Sequence, residues 1–108
     1  MSEQRKVGRA PLDIYLNKYV SGVPYLARSR DISPEGIRLA RLLEPDVAQR
    51  RIGLQFQLPG SDEVIYAEGE MVDPGAKLKG KEAHGIRFTL LTERHRRLIR
   101  AYVERSAA

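Results

Sequence analysis

Two clusters of polar residues in this 108-residue chain combine types and spacings suited to holding a planar, anionic ligand. The first is Arg5-Lys6-Val7-Gly8-Arg9. Arginines four apart fall on one side of a helix, and an even spacing does the same in an extended segment. Gly8 permits a bend between them. A guanidinium is planar with paired donors, so it can grip a phosphate bidentately or fork onto the O6/N7 edge of a guanine. Basic residues near a chain end are also commonly no more than a solvated tail. The second cluster is Asp31-Ile32-Ser33-Pro34-Glu35-Gly36. Ser33, Pro34 and Gly36 fit the first, second and fourth positions of a type I turn. Asp31 or Ser33 can simply bond the turn's own amides. The same groups also suit a guanine nucleotide. A carboxylate accepts from the guanine N1 and N2 hydrogens, a hydroxyl reaches a phosphate or sugar oxygen, and a glycine admits close approach. Taken singly, each cluster leaves both readings open.

The elements that would position these residues are mostly strands. Period-two alternation, the mark of a half-buried strand, recurs along the chain. Leu12, Ile14 and Leu16 alternate with Asp13, Tyr15 and Asn17, and a second run around Tyr25–Arg30 ends at Asp31. Ile37 and Leu39 alternate with Arg38 and Ala40. The clearest case sets Ile52, Leu54, Phe56 and Leu58 against Arg51, Gly53, Gln55 and Gln57. Val64–Val72 is a long run with mixed faces, and Ile86, Phe88 and Leu90 alternate with Gly85, Arg87 and Thr89. Turn signals separate the runs at Ser21-Gly22, Ser33–Gly36, Pro59–Asp62 and Asp73-Pro74-Gly75. Short strands joined by tight turns predict antiparallel pairing, because parallel strands need long crossovers. Closing such a sheet removes its exposed edges. Leu42–Arg50, containing Pro45 and Asp46, reads as a short helical turn or loop. At Thr92 the period changes. Thr92 can cap a helix and Glu93 suits its positive end. Leu98, Ile99, Tyr102 and Val103 then form a stripe at helical spacing, so the helix should pack by one face with its arginines in water. The expected architecture is a mainly β, six-stranded antiparallel β-barrel with a C-terminal α-helix.

Composition narrows the function. A hydrophobic content of 42% with 31% charged residues is that of a globular chain, and the length fits one domain. No stretch approaches the roughly 20 apolar residues of a membrane span, and Met1–Lys6 lacks the apolar run of a secretory signal. The absence of cysteine leaves no disulfide framework and no thiolate metal site, so the cytoplasm is the default location. His84 and His95 are the only histidines, read as surface residues and belonging to no metal-spaced pair or triad. Glu68 and Glu70 share one strand face, which an exposed face explains. Neither an enzyme nor a metal or cofactor is expected. The net charge of +5 sits at the two ends: residues 1–9 carry a net +2, residues 92–106 a net +3, and residues 10–91 are balanced. Nucleic-acid coats spread basic residues over a surface. Confined charge better fits a compact anionic ligand or an acidic partner. Tyr15 and Tyr19 share a strand face and could stack a base, but no dense basic patch interleaves them, and no nucleic acid is expected.

An N-terminal R-x-x-x-R, then a strand pair, then D-x-S-x-x-G at a strand-to-strand turn resembles the signature of PilZ domains. The motif residues are Arg5, Arg9, Asp31, Ser33 and Gly36, with no departure at any of them. Gly36-Ile37-Arg38-Leu39 continues the turn as a strand, and Gly85-Ile86-Arg87-Phe88 looks like the last strand before the helix. The likeness covers roughly Arg5 to Arg105 and implies a PilZ-type barrel that binds cyclic di-GMP, often as an intercalated dimer. By that likeness Arg5 and Arg9 would hold guanine edges and phosphates, Asp31 and Ser33 would fix the guanine and neighbouring oxygens, and Gly36 would shape the turn. Residues 1–9 would form a flexible arginine arm that folds over the ligand, and residues 10–106 the barrel with its helix. Lys6 and Arg87 are additional candidate contacts. The implied role is a second-messenger receptor signalling to a partner protein in motility, pilus function, polysaccharide production or transcription. The alternative is a PilZ-type interaction adaptor that binds no nucleotide, although such members usually lack parts of the motif kept here.

Overall fold

The computed structural model describes residues 8–40, 51–72 and 83–107. The expected turn or loop at 42–50, the turn at 73–75, and Arg5 and Lys6 lie outside the described residues. The elements are β1 (Ala10–Pro11), β2 (Tyr15–Val20), β3 (Val23–Ser33), β4 (Gly36–Ala40), β5 (Arg51–Phe56), β6 (Ile65–Met71), β7 (Ala83–Leu90) and α1 (Glu93–Ala107). Strands β2 to β7 pair in the order β3-β2-β5-β6-β7-β4, and β4 returns to β3. The result is the expected closed, six-stranded antiparallel barrel. The short β1 lies along the end of β3, with Ala10 opposite Ile32 and Pro11 opposite Asp31.

The core follows from the alternation. On β5, Ile52, Leu54 and Phe56 are buried, with Ile37 and Leu39 from β4, Ile65 and Ala67 from β6, and Ile86 and Phe88 from β7. Each large aliphatic side chain removed from water contributes about 1.5–3 kcal/mol. The strand expected over Leu12–Leu16 instead starts at Tyr15. The chain stays alongside β3 but carries one extra residue, Asp13, between Leu12 and Ile14. The Leu12 amide donates to the Arg30 carbonyl, and the Ile14 carbonyl accepts from the Ser29 amide. A buried hydroxyl holds this irregularity in place. Ser29 Oγ donates to the Leu12 carbonyl (2.5 Å) and accepts from the Ile14 amide (3.0 Å).

Strand β3 also runs past its expected end, through Asp31 to Ser33. Its register against β4 slips between Ser29 and Asp31, leaving Arg30 as the extra residue of a bulge. Ala27 and Ser29 face inward before the slip, and Ile32 does so after it. An unbroken period of two would have pointed Asp31 into the barrel. The bulge turns it outward.

Helix α1 is capped as expected: Thr92 Oγ1 accepts from the His95 amide at 3.2 Å. Ile99 and Val103 enter the core, with Leu98 and Tyr102 beside them. The expectation that all its arginines face water holds at Arg94, which is 72% exposed although paired, and is corrected at Arg96, which is half-buried. Arg94 forks onto Glu63 at 2.6 and 2.9 Å, and Arg96 Nη1 donates to the Pro34 carbonyl at 2.7 Å. His95 is likewise no surface residue. Its side chain is 16% exposed and its Nε2 lies 3.2 Å from Glu63 Oε2. In each case the reason is docking, which brings the first turns of the helix against the β5–β6 connection and the β3–β4 turn.

Candidate functional site

The site is built on the hairpin of β3 and β4. Ser33 pairs with Gly36, so Pro34 and Glu35 alone make the turn. Ser33 Oγ accepts from the Glu35 amide (3.1 Å), the local bond expected of a serine opening such a turn. The turn is pinned from outside as well: the Phe88 amide donates to the Glu35 carbonyl (2.8 Å), and Arg96 holds the Pro34 carbonyl. Gly36 opens β4 hard against β7. A Cβ placed there would collide with the Ile86 carbonyl oxygen and come within 3.3 Å of the Arg87 Cα. Glycine at this position therefore serves the packing of β4 on β7.

A two-residue turn fixes what lies opposite. Ile32 faces Ile37, and Asp31 faces Arg38. Arg38 Nε and Nη2 both reach Asp31 Oδ2, at 3.1 and 2.8 Å. From the other side Arg9 Nε donates to Oδ1 at 2.9 Å, and Arg9 Nη1 lies 3.4 Å from Ser33 Oγ. Gly8, just before Arg9, has φ 83°, a left-handed conformation that glycine accepts without strain. The bend expected ahead of Arg9 is therefore present. Residues 22 and 24 apart in the chain thus converge on one carboxylate and one hydroxyl.

Asp31 is 18% exposed, against 44% for Arg9 and 54% for Arg38. Burial pushes the Asp31 carboxyl up, but hydrogen bonds from Arg38 and Arg9, and their charges, more than offset it. The carboxyl lies below its ordinary value. It is therefore ionised at neutral pH, an acceptor flanked by two cations.

Arg9, Arg38 and Arg87 line one shallow groove of about 370 Å³ over the outer face of β4 and β7, with Glu35 and Gly36. Arg87 points outward as the alternation predicts, and pairs with Glu70 at 3.1 Å. A larger concavity of about 520 Å³, on β2, β5 and β6, is lined by residues including Tyr19, Gly53, Tyr66 and Glu68 and contains none of the motif residues. Size alone selects neither, since a hollow of about 650 Å³ between α1 and the β5–β6 connection is larger than both, whereas positive charge favours the groove. Among the expected site residues, Arg9, Asp31, Ser33, Gly36 and Arg87 are brought together at the groove and its rim. Arg38 and Arg96 were not anticipated. Arg38 was legible in principle, because a two-residue turn at 34–35 sets position 31 opposite 38; no comparable signal announces Arg96.

The PilZ domain family model matches residues 3–105, and the chain belongs to that family. Solved structures share the fold. A structure of the Bacillus subtilis inhibitor of motility (MotI/DgrA) superposes with a TM-score of 0.71 at 16% identity, covering 96% of this chain and 51% of that one. The Borreliella burgdorferi PlzA protein in complex with c-di-GMP gives a TM-score of 0.62 at 18% identity, covering 94% of this chain and 41% of that one. This chain thus spans about half or less of the length of either. A comparison with curated proteins finds no match. Among the described residues no helix is long and apolar enough to cross a membrane.

Proposed function

We propose that this chain is a cyclic di-GMP receptor whose occupancy is read by a partner protein. The observation that carries the proposal is the convergence of Arg9, Asp31 and Ser33 at one edge of an arginine-lined groove. Asp31 is the acceptor for the guanine N1 and N2 hydrogens, and Ser33 serves a phosphate or sugar oxygen. Arg9 supplies a fork for a guanine edge or a phosphate, and Arg87 and Lys6 add positive charge for the phosphates. Arg5 shares the Arg9 role by its place in the motif, from an arm of residues 1–9 that closes over the ligand. Receptor binding without catalysis, in the cytoplasm, is the role this assigns. The partner is a protein whose pathway, such as motility, pilus function, polysaccharide production or transcription, remains to be identified.

The test is calorimetry of cyclic di-GMP against the chain and its Arg9→Ala and Asp31→Ala variants, with GTP and cyclic di-AMP as controls. Loss of a bidentate arginine–guanine pair should cost about 1–3 kcal/mol, roughly five- to 150-fold in affinity. Binding that both substitutions weaken in folded protein upholds the receptor. No heat at high ligand concentration favours an adaptor that binds no nucleotide.

A further inference from the structure

Asp31 is gripped from two sides, and the grips are anchored differently. Arg38 sits on β4, which is paired with β3 along one edge and β7 along the other. Its backbone cannot move without opening the barrel. Arg9 sits just outside the two-residue β1, beside the left-handed Gly8, and can leave by turning a few torsions. The acceptor atoms are divided as well: Arg38 holds Oδ2 through both Nε and Nη2, while Arg9 holds Oδ1. A carboxylate has about four lone-pair sites. A guanine edge donating N1–H and N2–H needs one on each oxygen, so Arg9 must vacate Oδ1 and Arg38 must share Oδ2, keeping one of its two donors there.

We infer that Arg38 is a positioning residue for the nucleotide: anchored in the sheet, it holds the Asp31 carboxylate through Oδ2 while Arg9 exchanges from Oδ1 onto the ligand. The inference rests on the cyclic di-GMP reading and deepens it. The charged groups around Asp31 are Arg9 ahead of β1 and Arg38 on β4, with Glu35 and Arg87 along the same groove. On α1, Arg96 is engaged on the Pro34 carbonyl. Without Arg38, the departure of Arg9 would leave a largely buried carboxylate with no direct cationic partner. That carboxyl would take up a proton at higher pH and lose an acceptor site.

The experiment compares wild-type chain with Arg38→Met and Arg38→Lys by cyclic di-GMP calorimetry from acid to neutral pH. Carbon-13 NMR follows the Asp31 carboxyl of the ligand-free proteins over the same range. Arg38→Met should weaken neutral-pH binding by at least about tenfold and move the acid limit of binding upward. Arg38→Lys should bring that limit back towards the wild type without restoring full affinity, because a point charge lacks the fork. A folded Arg38→Met protein with wild-type affinity and pH profile overturns the inference. If the wild type itself shows no heat, the receptor reading fails separately. The ligand-free titration then decides: a raised Asp31 midpoint in Arg38→Met sustains the grip, and an unchanged one removes it.

Discussion

By the proposed receptor reading, Asp31 has to satisfy the fold and a ligand with the same two oxygens. In the structure the fold has both, Oδ1 through Arg9 and Oδ2 through Arg38. Because its carboxyl is depressed in the folded state, the stabilisation it brings is present above the unfolded carboxylate value and lost as pH falls through the folded one. Acid unfolding monitored by circular dichroism should therefore be shallower in Asp31→Asn, with stability less dependent on pH below the ordinary aspartate range. An identical acid limb would mean the two ion pairs are too solvated to matter. Gly36 makes a different demand. Gly36→Ala should cost about 1–3 kcal/mol of stability, as overpacking does, because the atoms it meets are backbone of β7 and cannot swing aside. Urea denaturation measures this directly. A neutral alanine would show that β4 can shift off β7 at no cost. At this scale the sequence was informative about residue type but not about pairing. The bulge at Arg30 is a backbone irregularity that no side-chain pattern announces, and it decides which way Asp31 points.

Among the elements, β5 was the easiest to read, since every inward position is apolar and no bulge interrupts it. Strand β2 was harder. Leu12, Ile14 and Leu16 keep their alternation across the one-residue slip against β3 that separates β1 from β2, so the pattern persists while the regular strand does not. The helix stripe was legible, but its polar face was not, because arginines that bond carbonyls and carboxylates look the same in sequence as solvated ones. Helix α1 holds the site scaffold twice: Tyr102 Oη donates to the Pro11 carbonyl at 2.7 Å, beside Asp31, and Arg96 holds the turn at Pro34. Arg96→Met should therefore lower ligand affinity several-fold while leaving far-ultraviolet circular dichroism unchanged. Unaltered affinity would mean that the Ser33 and Phe88 bonds hold the turn unaided. Thr92→Ala removes the helix cap and should cost about 0.5–2 kcal/mol by the same denaturation assay, with little effect on binding.

For the whole molecule, the barrel is a stiff frame that brings a chain end, a hairpin and a helix to one rim. Its arginine-lined groove is open and the arginines are well exposed. Salt should therefore weaken the binding of an anionic ligand, and calorimetry across a salt series should show affinity falling steadily. A flat dependence would place the ligand elsewhere, with the tyrosine-lined concavity the first alternative to examine. The charge confined to the chain ends was visible from composition. That α1 would be fastened across β1 and the hairpin was not, because sequence shows which face of a helix is apolar but not what it will cover. The bulge at Arg30 also bears on how the chain can change by descent. Connections such as Pro59–Asp62 can gain or lose a residue with only local effect. Losing Arg30 would set Asp31 directly after the inward Ser29, where plain alternation keeps Asp31 outward and Ile32 inward. Losing a residue from the bulge-free β5 would instead exchange inside for outside in the rest of that strand. Length variation should therefore be tolerated at the barrel's turns and at this bulge, and be purged from the regular stretches of its strands.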